Sequence, residues 1–418
     1  MSGPTSSPAE PGRPARAPLR IFYAAMKYDY GKPEQGFSFE HWNFYESLRR
    51  MGHHILYFDF MSLLQERGRD AMNRRLAESV RAEKPDLLFT VLFTDEFDPA
   101  VIRRISDETD TVTMNWFCDD HWRFEAFSAP WAPCFNWVIT TAASALPKYE
   151  RAGIPHVIKS QWACNTALYR PLSLPLVHDV SFVGQPHGNR REVIRSLEKS
   201  GITVRAWGQG WPAGRIGQEE MIRVFNQSRI NLNLTNASIE PSAAPSGPLR
   251  RWASRTIAAV PLGPAAKTAA RRGLSTVRHL ASGRDPKRAA GPGEGTHAAA
   301  GATVRPADQI KGRNFEIPGC GGFLLTSRAD DLEAYYEPGR EIACFEGEDS
   351  LIDSVRHFLT HEKERASIAR AGLARTLREH SYAHRFHEIF GRCGLTAGPT
   401  DSAPTDPVQE GRTEMIGW

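Results

Sequence analysis

Residues 309–326 read QIKGRNFEIPGCGGFLLT, the most informative stretch of the chain. Lys311 and Arg313 make a basic approach. Glu316 follows on a short predicted helix, Gly319, Gly321 and Gly322 form a turn, and a buried strand runs over Gly322–Thr326. This order gathers a carboxylate, two cations and free backbone N–H groups around one small anionic ligand. Thirteen residues after Phe323 comes YEPGREI (Tyr336 to Ile342), a turn leading into a further strand.

Outward from this stretch the chain alternates strands and helices. Apolar runs at 20–25, 54–60, 86–93, 111–118, 137–141 and 156–162 predict strands, with helices over 39–51, 61–83 and 98–108 between them. Pro171 and Pro175 interrupt the pattern, which restarts with strands at 179–184, 202–208 and 230–234 and helices at 189–200 and 219–227. After the opening stretch come a strand at 341–345, helices near 351–359 and 362–379, and a last helical turn at 386–390. Continuous apolar strands separated by helices imply parallel sheets covered on both faces. The fold class is α/β. The expected organisation is a disordered tail over 1–18, an N-terminal Rossmann-like domain over 19–170, a C-terminal one over 171–395 and a polar tail over 396–418.

Residues 237–308 form an insertion of different composition. Rich in Ala, Gly and Pro, it carries eleven Lys or Arg against four Asp or Glu. It reads as a solvated loop with one candidate helix at 265–281, and its basic character makes it a candidate for contact with an anionic membrane surface.

The 418 residues suit two domains, and the net charge of +4 permits an anionic ligand without demanding nucleic acid. No RNP-type motif or basic reading helix appears, so no nucleic-acid partner is expected. The six cysteines form no C-x-x-C pair, which argues against a zinc site or a disulfide framework. The N-terminus lacks the apolar run of a signal peptide, and no stretch approaches a membrane span. The expected location is the cytoplasm, with peripheral membrane contact through the insertion as a possibility of composition alone.

Several segments together carry a family resemblance: DVSFVG (179–184), MIRVFN (221–226), SRINLN (228–233), KGRNFEIPGCGG (311–322), EPGRE (337–341) and ERASIARAG (364–372). They are similar to the CgeB-like, or spore maturation protein, group of glycosyltransferases in the GT-B superfamily. The resemblance covers about 179–236 and 309–390, and more weakly 19–170. It implies two Rossmann-like domains facing each other across a cleft, a nucleotide-sugar donor held mainly by the C-terminal one, and no metal or other cofactor.

The resemblance places Glu316 where an acidic residue hydrogen-bonds the donor ribose, a role suited to a carboxylate facing a vicinal diol. The plain alternative is an acid favoured by a helix N-terminus. Lys311 and Arg313 are candidates for the donor diphosphate, and Asn314 belongs to the same donor-side set. Gly319, Gly321 and Gly322 permit either close approach to a ligand or an ordinary helix-to-strand turn. Gly184 and Arg190 flank an N–H-rich loop where a phosphate can bind. Asp308, eight residues before Glu316, is a poor match to a second family acid. In the N-terminal domain, Asp119 and His121 follow a buried strand and are the candidates for taking a proton from an acceptor hydroxyl. The loop 30–38 lacks G-x-G-x-x-G, which argues against a bound dinucleotide.

The function these readings imply is transfer of a sugar from a nucleotide-sugar to an acceptor hydroxyl of a glycan, lipid-linked or protein acceptor. A nucleotide-sugar epimerase and a non-catalytic GT-B-like binding or assembly protein are the alternatives.

Overall fold

The computed structural model describes residues 18–236, 308–395 and 413–416. The expected N-terminal tail, the helix at 265–281 and most of the insertion lie outside the described residues.

Two parallel sheets organise the chain. The first contains β1 (Arg20–Ala24), β2 (His54–Phe58), β3 (Leu87–Thr90), β4 (Val112–Phe117), β5 (Trp137–Thr140), β6 (Val157–Lys159) and, far along the chain, β12 (Thr413–Met415). Its order is β12-β2-β1-β3-β4-β5-β6. The second contains β7 (His178–Val183), β8 (Val204–Trp207), β9 (Ser228–Asn233), β10 (Leu324–Ser327) and β11 (Ala343–Phe345), in the order β11-β10-β9-β7-β8.

The two-residue side-chain period explains why both faces of the first sheet are covered. Phe22 and Ala24 of β1 enter one core with Leu56, Phe58 and Leu88, while Ile21 and Tyr23 enter the opposite core with Ile55, Tyr57, Leu87 and Phe89. Each fully buried Leu, Ile or Phe among them contributes roughly 1.5–3 kcal/mol. The second sheet repeats the arrangement: Val180, Phe182, Ile230, Leu232 and Leu325 pack on one side, and Leu324 packs with Phe315 and Ile317 on the other.

The helices follow the sequence pattern with local differences. The one expected over 61–83 is broken at Gly68, whose φ of +81° separates Phe60–Arg67 from Arg69–Glu83. The segment 39–51 includes a π-helical turn, His41–Tyr45.

Two crossings join the domains, and they pair with each other. Cys164 N donates to His380 O at 2.8 Å, and Tyr382 N donates to Cys164 O at 3.2 Å. After the second crossing, the helix Tyr382–Arg392 packs Tyr382, Phe386, Ile389 and Phe390 into the core of the first sheet. Residues from 382 to 395 therefore sit on the N-terminal domain, although the sequence reading groups them with the C-terminal one. The expected polar tail likewise includes strand β12, which pairs with β2.

The architecture is two Rossmann-like domains facing each other across a cleft, as expected. The domains touch at several points. Lys159 Nζ lies 2.9 Å from Asp331 and donates to Tyr335 OH at 2.9 Å, and Arg215 pairs with Asp29. No described helix is long and apolar enough to cross a membrane.

Candidate active site

The helix Arg313–Gly319 runs between β9 and β10 in the chain, and its N-terminal approach meets the N-terminal domain. Gly312 lies so close to Phe39 that a Cβ there would approach its ring to 2.9 Å. Gln309 Nε2 donates to Asp119 Oδ1 across the cleft at 3.3 Å. The donor-side and acceptor-side candidates thus converge on one seam.

Lys311 is the freest of the expected cations. Its backbone N–H is held by Asn314 Oδ1 at 2.9 Å, but its ammonium forms no hydrogen bond among the described residues. Burial pulls it down to about 8, with Arg190 adding to the effect and Asp119 and Asp308 opposing it. A cation held at this cost invites an anion.

Glu316 is fully buried. Tyr169 OH donates to its Oε1 at 2.8 Å, and Arg313 Nη1 pairs with its Oε2. Arg313 keeps a quarter of its side chain exposed, and its buried Nε has no partner. Each carboxylate oxygen retains acceptor capacity beyond one bond. In this arrangement, however, Glu316 chiefly positions Arg313 and ties the helix to the interdomain linker.

Arg190 has a different place from the one expected. It is buried, and its guanidinium donates to Gln185 O at 2.9 Å, Leu234 O at 2.8 Å, and Asn236 Oδ1 at 2.8 Å. With its donors so engaged, it clamps the loops after β7 and β9 and lends the site charge rather than a free grip. Asn314 is similarly engaged, accepting from Asn233 Nδ2 at 3.0 Å and donating to Thr326 Oγ1 at 3.3 Å.

The glycines have packing reasons. A Cβ on Gly319 would overlap Cys164 Sγ of the linker, and one on Gly322 would stand 2.9 Å from Phe225 O. Gly321 has a φ of +71°. Gly184 accepts from Trp211 Nε1 through its carbonyl at 2.8 Å, and a Cβ on it would crowd the Phe182 ring at 3.1 Å. For Gly319, Gly321 and Gly322 these features fit an ordinary helix-to-strand turn.

On the opposite wall, Asp119 and Asp120 diverge. Asp120 turns inward, where Tyr149 OH donates to it at 2.8 Å. Asp119 stays half-buried at the cleft, near Arg123 at 4.0 Å. Burial pulls His121 down to about 4, with Asp330 of the facing domain opposing the shift. His121 Nδ1 and Asp330 Oδ2 are both buried without partners. Tyr169, Gln309 and Asp330 were not singled out from sequence. Their partners lie far away in the chain, and only Tyr169, just ahead of the proline-bearing hinge, had a positional hint.

A separate cavity of about 340 Å³ opens between the turn 337–341 and the helix Glu362–Glu379. Its cations are already paired, Arg340 with Glu337 at 2.9 Å and Arg375 with Glu379 at 2.9 Å. The interdomain seam, with its unpartnered Lys311, is the better anion site. Among the described residues no cluster of three or more His, Cys, Asp or Glu gathers to hold a metal ion.

Comparison with known proteins agrees on the class. Residues 190–259 and 295–391 match the model of a family described as glycosyl transferase-like. The fold is similar to a glycosyltransferase from Rickettsia africae, with a TM-score of 0.52 and 9% identity over 91% of this chain and 100% of that one. It is also similar to sucrose-phosphate synthase from Thermosynechococcus elongatus, with a TM-score of 0.52 and 10% identity over 90% and 100%. HepE from Anabaena, in complex with UDP-glucose, gives a TM-score of 0.56 and 10% identity over 90% and 100%. No curated protein matches by sequence. The fold is GT-B, and the family model matches only within the C-terminal part of the chain.

Proposed function

We propose that the chain is a CgeB-like glycosyltransferase that moves a sugar from a nucleotide-sugar to an acceptor hydroxyl bound between the domains. The observation that carries this reading is Lys311: a half-buried lysine whose ammonium has no hydrogen-bond partner among the described residues, near Arg190 and two residues before Arg313, at the interdomain seam of a GT-B fold. Such a positive centre suits the donor diphosphate, whose charge grows as the sugar leaves. That HepE binds UDP-glucose supports a nucleotide-sugar as donor. Glu316 supports Arg313 and remains the proposed ribose contact. Asp119 and His121 line the acceptor side. Closure along the Lys159–Asp331 and Arg215–Asp29 contacts excludes water. The reaction is written without a metal, the cations neutralising the diphosphate.

The test is titration of the protein with UDP, GDP, ADP and dTDP in the presence of EDTA. One of them is expected to bind, and Lys311→Met to weaken it about 10–100-fold, the loss of one charge-assisted contact. Equal affinity in the variant would remove Lys311 from the site. No binding by any diphosphate would favour a non-catalytic assembly role.

A further inference from the structure

Glu40 was not among the residues singled out from sequence, yet it stands where the two halves of the site meet. The helix that carries it starts at Ser38, whose hydroxyl donates to Met26 O at 2.6 Å and accepts from His41 N at 3.0 Å. This pins the helix start just beyond the carboxyl end of β1, near the middle of the first sheet. In open parallel sheets ligands sit at that edge. Tyr23 OH of β1 donates to the Glu40 carbonyl at 3.1 Å. The preceding residue, Phe39, is the one packed against Gly312 at the entrance to the donor helix. Asp29, just upstream on the same side, is tied to the C-terminal domain by Arg215. Glu40 thus lies between the acceptor-side sheet edge and the proposed donor site, and the residue is only half-buried.

We infer that Glu40 is the general base that removes the acceptor hydroxyl proton. The inference rests on the transferase reading above. In the step, the acceptor oxygen bonds to the anomeric carbon while its proton passes to the Glu40 carboxylate. The bond from that carbon to the diphosphate oxygen breaks, and its electron pair leaves with the nucleoside diphosphate. The surroundings suit a base at neutral pH. Burial raises the carboxyl to about 7, and Asp29 adds to the rise, while the backbone N–H of Glu40 and the Ser38 hydroxyl oppose it. Tyr23, Tyr57 and Cys118, from β1, β2 and the end of β4, and Tyr30 of the loop after β1 also face it. Among the described residues it forms no ion pair that would hold it ionised at low pH. His121, held near 4, is a weaker base.

The experiment compares the full-length protein with Glu40→Gln and Glu40→Asp. It follows release of nucleoside diphosphate from UDP-, GDP-, ADP- and dTDP-glucose between pH 5.5 and 9, with water and a panel of simple sugars as acceptors. The wild-type rate is expected to rise with pH to a plateau above about 7. Glu40→Gln should bind the diphosphate within twofold of wild type but release it about 10²–10⁴-fold more slowly, without that rise. Glu40→Asp should recover part of the rate and keep the rise. A Glu40→Gln protein that keeps both rate and pH profile overturns the role. So does one whose rate falls only in proportion to lost stability, with the profile unchanged. Wild-type protein that binds no diphosphate and consumes no donor overturns the transferase reading itself.

Discussion

At Glu316, a carboxylate is removed from water but keeps two partners, Tyr169 and Arg313. The hydroxyl of Tyr169 is buried with it, so Tyr169→Phe leaves an acceptor short of a bond and should cost about 1–3 kcal/mol, read as a lower midpoint in urea unfolding. Glu316→Ala should cost more, toward the lower end of about 3–5 kcal/mol because Arg313 is still partly exposed, so Glu316→Gln is the better probe of donor binding. The acid and its flanking cations were legible in the sequence because motif and chemistry agree. Tyr169, 147 residues away, was not, since nothing local marks a cross-domain partner. His380 makes a second test. Its Nε2 meets Tyr335 O at 2.6 Å and its Nδ1 meets Arg385 at 3.1 Å, and burial, with Arg385 adding, lowers it to about 4. The folded value lies below the unfolded value near 6.5, so the stability it supplies is present above pH 6.5 and is lost as pH falls toward 4. The thermal midpoint of His380→Gln should therefore fall less between pH 7 and pH 4.5 than that of the wild type; identical pH dependence would contradict this.

Among the elements, the glycines show how one sequence signal serves two purposes. Absence of a Cβ lets backbone approach either a phosphate or another segment, and the residue type does not say which. Here the glycines at the end of the helix Arg313–Gly319 answer to Cys164 and Phe225. The same logic gives a quantitative test at Gly372, inside the helix Glu362–Glu379. Alanine there gains up to about 1 kcal/mol of helix propensity. Its Cβ, however, would overlap the Glu341 carbonyl oxygen, a backbone atom that cannot rotate away. Overpacking of this kind costs about 1–3 kcal/mol, so Gly372→Ala should lower the thermal midpoint, whereas the same change at a solvent-exposed helical glycine would raise it. The strands were legible because both faces of a parallel sheet are buried, which writes continuous apolar runs such as Ile21–Ala24. β12 was not: Thr413, Glu414 and Met415 form no apolar run, and the backbone pairing with β2, helped by the His54–Glu414 contact at 3.3 Å, leaves no local sequence pattern.

For the whole molecule, periodicity identified the helix Tyr382–Arg392 only as a turn and could not say which sheet it covers, because an amphipathic face fits either domain. Its packing on the first sheet, with the return strand β12, makes the C-terminus part of the N-terminal domain. Truncation after residue 395 exposes the β2 edge and removes the Tyr45–Thr413 hydrogen bond of 3.1 Å, so it should lower the thermal midpoint while leaving diphosphate affinity within about twofold. A truncated protein as stable as the full chain would remove β12 from the account. The domains meet along a charged seam where Lys311, its ammonium without a hydrogen bond among the described residues, lies near Asp119 of the other wall. The central claim is that this seam transfers a sugar off its nucleotide. It is tested most directly by incubating the full chain with UDP-, GDP-, ADP- and dTDP-linked sugars, a panel of saccharide and lipid-extract acceptors, and EDTA, then separating the products. Free nucleoside diphosphate is expected from one donor type, with the sugar recovered on an acceptor or as free sugar, and this release is expected to be lost in Lys311→Met. Donors recovered intact, or isomerised while still joined to their nucleotide, would contradict it.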